Sequence, residues 1–183
     1  RFILDGKAFR ALHDFVGDHT VVLNSHTAAI EWGFPYQRAI IHGFDPADYP
    51  LGKREKGAIS ITTDLSHRAY YRGADIYRTI TKRIPVDLLG KDDTGTYPTV
   101  APPLLPGTPE NALRNFKIYV DFIGQYSVYV HHCILPPNPR ARAEAVLSGL
   151  ALVSTNFHGE SDVFENGTEA LLSNDPEELA GMA

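Results

Sequence analysis

The sequence contains little of what marks a secreted or membrane-spanning protein. Among its 183 residues there is one cysteine, Cys133, and one methionine and one tryptophan. A lone cysteine excludes an internal disulfide framework and indicates a reducing compartment, so we expect a cytoplasmic protein. No run of about 18 apolar residues occurs, which excludes a membrane-spanning helix.

Excess positive charge is also missing. The formal net charge is −5, which argues against a general nucleic-acid-binding protein, since such proteins carry basic surfaces. Hydrophobic residues make up 43% and charged residues 21% of the chain, an ordinary globular composition and not a disordered one. The chain begins with Arg1 and not with Met, which indicates a fragment or a trimmed chain.

What is present is organised around residues 133–179, which alternate between strand and helix patterns. An apolar strand ends at Ile134 and a turn passes through Pro136. Asn138 is a good N-cap, so a helix is predicted from there to Gly149, followed by a strand over 151–155. Together with the alternation from residue 58 onward, this predicts an α/β fold with an open, mostly parallel, doubly wound (Rossmann-like) sheet.

The start of that helix is a candidate anion site. Backbone N–H groups near Arg140 and Ala141 point beyond the carboxyl end of the preceding strand, where ligands collect in parallel sheets. Glu144 lies about one and a half turns into the helix and could reach back to sugar hydroxyls. The alternative is that Glu144 is a solvated helix residue, as most helical glutamates are.

Several motifs in this stretch resemble one known family. The motifs are R-A-x-x-E-A-x-x-S-G-L-A-L-V-S-T at 140–155, H-G-E-S-D-V at 158–163, E-N-G-T-E-A-L-L at 165–172 and D-P-E-E-L-A at 175–180. Their order and spacing resemble the donor-binding half of a group 1 (retaining, GT4-like) glycosyltransferase with the GT-B fold. The resemblance implies a nucleotide-sugar donor site in which Glu144 holds the donor ribose. Counting back eight positions, Pro136 stands where the family has the first glutamate of its E-x7-E motif.

A second motif precedes this region. The run H-G-F-D-P-x-x-Y-P at 42–50 is similar to the segment that closes the first domain of the same enzymes. The resemblance therefore implies three parts: a remnant of the N-terminal acceptor domain (1–50), a linker (51–57) and the nucleotide-sugar donor domain (58–183). It also implies that most of the acceptor domain lies outside this sequence.

The most basic stretch of the chain follows the predicted strand of 58–63. A helix is predicted from Arg68 to about Arg83, and Arg68 and Arg72 lie one turn apart, so both can face a diphosphate. In the family, an arginine and a lysine after this strand hold the donor phosphates, and Arg68 and Arg72 are the matching positions. Alternatively, Arg68 and Arg72 form part of a basic helix face that is exposed to solvent.

Two further features concern the middle of the chain. A strand is predicted over 86–89, and in the family the turn after it, here Gly90 and Lys91, lies under the nucleotide base. No strand is predicted in the proline-rich 94–109. The adjacent His131 and His132 point to opposite faces of a strand, so no metal site is assigned.

The resemblance implies transfer of a sugar from a nucleotide-diphosphate donor to an acceptor, without a cofactor. Arg68, Arg72 and the N–H groups near Arg140 would stabilise the leaving diphosphate. The acceptor stays open between a saccharide, a lipid and a protein, and a peripheral membrane contact would use the missing part of the first domain. Two alternatives stay open: a non-catalytic nucleotide-sugar-binding module and a nucleotide-sugar 2-epimerase of the same architecture.

Overall fold

The computed structural model describes residues 6–23, 30, 32–40, 43–134, 140–157 and 163–183. The chain forms two compact units, Arg1–His42 and Gly43–Ala183. The functional division expected from the sequence, with an acceptor-domain remnant ending at residue 50, stays a prediction. Each unit is described by itself.

The described residues of the first unit include a helix and a pair of strands. Helix α1 (Gly6–Val16) ends at Gly17, which adopts a φ of +52°, and strands β1 (Val21–Leu23) and β2 (Gln37–Ala39) pair in parallel. Aromatic rings of the helix and of residues 32–34 stack on one another, which gives this unit its own apolar contacts.

The second unit is built on a six-stranded sheet. Its strands are β3 (Lys56–Ile61), β4 (Val86–Leu89), β5 (Thr99–Val100), β6 (Tyr126–His131), β7 (Ala151–Ser154) and β8 (Leu171–Leu172). Their order across the sheet is β5-β4-β3-β6-β7-β8, and every neighbouring pair is parallel. The predicted α/β class with a parallel, doubly wound sheet is confirmed.

Helices cover both faces of this sheet. They are α2 (Ala69–Arg72), α3 (Ala74–Thr81), α4 (Ala112–Ile123), α5 (Arg140–Leu147) and α6 (Pro176–Met182). One apolar cluster joins the sheet to α3 and α6 through Ile80 and Leu179. A second cluster joins the other face to α4 and α5 through Ile123 and Ala145. Burial on both faces explains why the central strands are almost continuously apolar.

The single helix predicted over 68–83 is in fact two helices. Gly73 separates α2 from α3 with a φ of +65°, a left-handed conformation that glycine adopts at little cost. A Cβ at this position would lie 2.0 Å from the carbonyl oxygen of His132. The break therefore lets the backbone approach the end of β6, a long-range contact that helix periodicity does not reveal.

One expectation about strands was wrong, and another strand begins two residues earlier than predicted. The proline-rich stretch contains β5, a two-residue strand that pairs with Leu88 and Leu89. Strand β3 begins at Lys56, inside the predicted linker, and the backbone N–H groups of Gly52 and Arg54 donate to the carbonyls of Ser148 and Gly124. These hydrogen bonds join Gly52 and Arg54 to later residues of the second unit, and the role of residues 51–57 as a linker between domains stays a prediction.

The predicted last helix is present. The Asp175 side chain accepts a hydrogen bond from the backbone N–H of Glu177 at 2.8 Å, and Pro176 occupies the first helical position. This is the N-cap arrangement expected from the sequence. Within the described ranges, no helix is both long enough and apolar enough to cross a bilayer.

Candidate functional site

The strand order places the candidate site. From β3 the chain proceeds outward to β4 and β5 on one side, and β6 begins the series on the other side. The carboxyl ends of β3 and β6 therefore border the point where the winding changes direction. Ligands of open α/β sheets bind at such a point, because the loops leave in opposite directions and open a crevice.

Buried small polar side chains line this edge of the sheet. Thr62 directly follows β3, and its Oγ1 accepts a weak hydrogen bond from the Cys133 thiol at 3.8 Å. The Thr155 hydroxyl, just beyond β7, donates to the Cys133 carbonyl oxygen at 2.6 Å. These contacts connect the ends of the three neighbouring strands, so the floor of the crevice is built and not left to flexible loops.

His131 is the last residue of β6, and His132 directly follows it. His131 contacts Tyr129 of one apolar cluster and His132 contacts Tyr77 of the other, so the two rings lie on opposite faces of the sheet, as predicted. Nδ1 of His131 lies 3.3 Å from the Tyr129 hydroxyl, and Nδ1 of His132 donates to the Arg72 carbonyl oxygen at 2.7 Å. Both rings are buried, and the Nε2 atom of each has no hydrogen-bond partner within the described structure. Burial lowers the pKa of His132 to about 4 and that of His131 well below its ordinary value, so both are neutral near pH 7.

The structure brings Arg72 to this edge more closely than Arg68. The positive charge of Arg72 helps to lower the pKa of His131 and His132, after burial and other causes, so the guanidinium lies near the ends of β6. Arg68 lies at the rim: its side chain is 58% exposed, and its Nε is 3.8 Å from the Asp64 carboxylate. The phosphate-binding role of both residues stays a prediction.

Gly90 and Lys91 lie against the end of β3. A Cβ at Gly90 would be 1.8 Å from the Thr62 carbonyl oxygen, so a side chain there would collide with the neighbouring strand. The Lys91 carbonyl accepts the Asp64 N–H at 2.8 Å, while the Lys91 ammonium is exposed and pairs with Asp93 at 2.8 Å. The backbone of this turn borders the crevice, and its predicted contact with a base stays a prediction.

Asp92, which the sequence did not single out, fixes the two loops beside that turn. Its carboxylate accepts the N–H groups of Ser66 and Tyr97 and the hydroxyl of Thr94. The pKa of Asp92 falls to about 2, chiefly because of its hydrogen bond with the Ser66 side chain. An aspartate in a glycine-containing turn, three residues after a buried strand, is the available sequence signal, since such residues form loop hydrogen bonds.

Glu144 is buried, so its interpretation as a solvated helix residue is wrong. Its Oε2 accepts a hydrogen bond from the Tyr119 hydroxyl at 2.9 Å, and its Oε1 lies 3.3 Å from Nη2 of Arg140. The side chain keeps 11% of its surface exposed. The carboxylate is thus oriented by two protein donors and still reaches solvent, which is the form of a preset acceptor site.

Several aromatic rings lie near the Glu144 carboxylate and its partner Arg140. The Arg140 guanidinium lies 5.7 Å from the Phe44 ring centre, and Tyr49 packs edge-on against Phe116 at 5.6 Å. Burial, followed by the charge of Glu144, raises the pKa of Tyr49. The segment after Gly43 therefore packs against α4 and α5 and partly shields the carboxylate from water.

A buried arginine lies in the first turn of the same helix. The Arg142 side chain is fully buried, and its guanidinium lies 5.6 Å from the Phe164 ring. Its charge contributes to lowering the pKa of His131, after burial. Sequence reasoning missed this residue because an arginine within an alanine-rich helix normally faces water.

The remaining predicted residues belong to the turn before α5. Pro136 and Asn138 lie outside the described residues, so their predicted parts in the donor site are not described. Arg140 and Ala141 form the first described turn of α5, at the same edge of the sheet as the histidines. Within the described part of the chain, no group of three histidine, cysteine or acidic residues could hold a metal ion.

Three solved structures share the fold of this chain. HepE of Anabaena, solved in complex with UDP-glucose, is 18% identical with a TM-score of 0.66, covering 96% of this chain and 56% of that one. TarM is 11% identical with a TM-score of 0.67 over 96% of this chain and 38% of that one. Sucrose-phosphate synthase of Thermosynechococcus elongatus is 15% identical with a TM-score of 0.65, covering 97% of this chain and 51% of that one.

The sequence itself matches no protein-family model, and no curated protein matches it. The chain spans about half the length, or less, of the solved structures that it resembles. At 11–18% identity these similarities establish the fold, which agrees with the resemblance inferred from the motifs. The chain has the fold of a GT-B glycosyltransferase domain.

Proposed function

We propose that this chain contains the donor-binding half of a glycosyltransferase and binds a nucleotide-diphosphate sugar at the carboxyl edge of the six-stranded sheet. The observation that carries the proposal is the pair of donors on Glu144, together with Arg72 near the end of β6, at the switch point of the sheet. In this proposal the Glu144 carboxylate would accept sugar or ribose hydroxyls, and the Arg72 guanidinium would bind phosphate. HepE, which shares the fold, was solved with UDP-glucose.

The chemistry that this arrangement supports is electrostatic. As the glycosyl bond breaks, negative charge grows on the leaving diphosphate and must be stabilised. Arg72, Arg68 at the rim and the N–H groups of the first turn of α5 would supply that stabilisation in place of a divalent cation. The Gly90–Lys91 turn would support the base. The acceptor, whether saccharide, lipid or protein, would bind mainly to a part of the enzyme outside this sequence.

The decisive experiment is calorimetry with UDP, ADP, GDP and the matching nucleosides. The buffer is a reducing one, because the chain has a single cysteine. Arg72→Ala should weaken binding of the preferred diphosphate by about 1.5–3 kcal/mol, the scale of a hydrogen bond to a charged group. Binding of the nucleoside should hardly change, because it carries no phosphate.

Arg78→Ala is the matched control. Arg78 is an exposed arginine on α3 that pairs with Asp75, so its removal takes away an equal charge without touching the crevice. Diphosphate binding should persist in that variant. Equal losses for diphosphate and nucleoside in Arg72→Ala would show that the arginine acts through folding and would count against the phosphate role.

A second candidate is a nucleotide-sugar-binding module without transfer activity. It is favoured by Pro136, which stands at the position of a glutamate that the resembling family associates with the donor sugar. Mass spectrometry with the longest native chain separates the two. Sugar transfer to any saccharide, lipid or protein acceptor supports the enzyme, whereas saturable binding without turnover supports the module.

A further inference from the structure

The carboxylate of Glu144 is held from two sides. Tyr119, on α4, donates to Oε2 at 2.9 Å, and Arg140, one helical turn before Glu144, lies 3.3 Å from Oε1. A glutamate side chain has several free rotations that would have to be frozen on binding a ligand. Here the protein has already restricted them, so the acceptor oxygens are oriented before any ligand arrives.

Tyr119 keeps its proton for this task. Burial, followed by the nearby charge of Glu144, raises its pKa far above the ordinary value for tyrosine. The phenol therefore stays a hydrogen-bond donor at any physiological pH. Its helix is anchored by Val120 and Ile123 in the core, so the hydroxyl has little freedom to leave the carboxylate.

An ionised carboxylate offers about four lone-pair positions. The Tyr119 hydroxyl occupies one of them, and Arg140 forms an ion pair with the other oxygen. The 11% of the side chain that remains exposed leaves access from the crevice. Two neighbouring hydroxyl groups, such as those on C2 and C3 of ribose, carry two donors at a spacing that suits the remaining positions.

We propose that Tyr119 is a positioning residue that presets Glu144 for a vicinal diol, and so makes the site favour ribonucleoside over 2′-deoxyribonucleoside diphosphates. This inference rests on the proposed function. Tyr119 does not itself touch the ligand: it holds the carboxylate that does. A carboxylate free to rotate would still accept one hydroxyl, but would discriminate less between one donor and two.

The chain provides a matched control at the opposite edge of the sheet. Tyr126 at the start of β6 also donates to a carboxylate, Asp87, at 2.7 Å. Removing this hydroxyl breaks the same kind of bond far from the carboxyl ends of the strands. Tyr126→Phe therefore reports the cost of losing a tyrosine–carboxylate bond without any effect on the crevice.

The test is calorimetry with UDP, ADP and GDP, each beside its 2′-deoxy form, on the unmutated chain, Tyr119→Phe and Tyr126→Phe. Tyr119→Phe should lower the ratio of ribo to deoxy affinity by about fivefold, the scale of one hydrogen bond. Tyr126→Phe should leave that ratio unchanged. In a Glu144→Gln background, Tyr119→Phe should change the ratio little further, because both substitutions act on the same contact.

Each other result counts against a specific statement. An unchanged ratio in Tyr119→Phe, with ribonucleotide still bound, overturns the positioning role and leaves the proposed function standing. An equal fall of the ratio in both tyrosine variants shows a global effect and also overturns it. If the unmutated chain binds none of the diphosphates, the proposed function and this inference fail together.

Discussion

The two edges of the six-stranded sheet treat polar groups differently. At the amino edge, the Tyr126 hydroxyl donates a hydrogen bond to Asp87. The Lys56 ammonium lies 5.1 Å from the centre of the Phe122 ring and 5.0 Å from that of Tyr126. At the carboxyl edge, the buried Nε2 atoms of His131 and His132 have no partner within the described structure. An unpaired buried polar atom destabilises a protein unless water or another group satisfies it, so the two edges differ in how their buried polar atoms are paired.

The backbone packs tightly at both edges of the sheet. Looser packing therefore does not explain why, among the described residues, buried polar groups are paired at the amino edge and unpaired at the carboxyl edge. Gly52 contacts Gly124 at the amino edge, and Gly73 contacts His132 at the carboxyl edge. A loosely packed carboxyl edge would simply admit water to the histidines. Tight packing at the carboxyl edge instead encloses both histidine rings.

The largest expected effect tests how tightly the backbone packs at the carboxyl edge. Gly73→Ala should destabilise the fold by roughly 3 kcal/mol or more, because the new Cβ would meet the His132 carbonyl at 2.0 Å and the backbone must keep a positive φ. Urea unfolding followed by circular dichroism measures the loss.

Gly95→Ala is its control. Gly95 has nearly the same φ, +68°, but nothing lies within 4 Å of a Cβ there. Its substitution should cost only about 1–2 kcal/mol, the conformational part alone. Equal losses in the two variants would mean that the carboxyl edge yields easily, and the argument from tight packing would be lost.

The next effect concerns pH. Both histidines are neutral in the folded chain well below the pH at which they take up a proton when unfolded. Between about pH 6.5 and pH 4 the unfolded state binds more protons, so stability falls as pH falls. Each histidine contributes a slope of about 1.4 kcal/mol per pH unit where the difference in bound protons is complete.

His132→Asn removes one of these titrating groups and keeps a side-chain N–H for the Arg72 carbonyl. Urea unfolding at pH 7, 6 and 5 should then show a slope about half as steep as that of the unmutated chain. The positive charges of Arg72 and Arg142 lower the pKa of His131, as burial does. An unchanged slope would show that His132 is accessible to protons and not enclosed.

The smallest effect lies in a separate pH window. Asp92 has a folded pKa of about 2, below its ordinary 3.8, so its contribution to stability is present above pH 4 and is lost as pH falls from about 4 to 2. Asp92→Asn should flatten only this acid limb. Asp93→Asn, next to it and paired with the exposed Lys91, is the control and should leave the limb in place.

Local sequence signals predicted the elements whose causes are local. Strand β4 occupies 86–89 as predicted, because its apolar run is bounded by Pro85 and Gly90. The last helix begins where Asp175 and Pro176 require it to begin. By contrast, β5 and β8 contain two residues each, too few for any periodic pattern, and they exist because the neighbouring strand offers an unpaired edge.

The candidate site divides in the same way. Spacing made Arg72 and Glu144 candidates, because a helix after a strand must place its first turns at the carboxyl edge of a parallel sheet, and the family resemblance gave them their predicted roles. It could not find Tyr119, which is 25 residues from Glu144 along the chain and shows in the sequence only as part of an apolar helix face.

The sequence by itself determined the alternation of strands and helices and the parallel pairing that follows from it. It also determined at which edge of the sheet the candidate charged residues lie. These properties depend on hydrophobic period and capping, which act over a few residues. Only the tertiary structure decided the break at Gly73, the burial of Glu144 and the enclosure of the two histidines. Each of these depends on a contact between segments distant in the chain, and close packing fixes such contacts without leaving a local pattern.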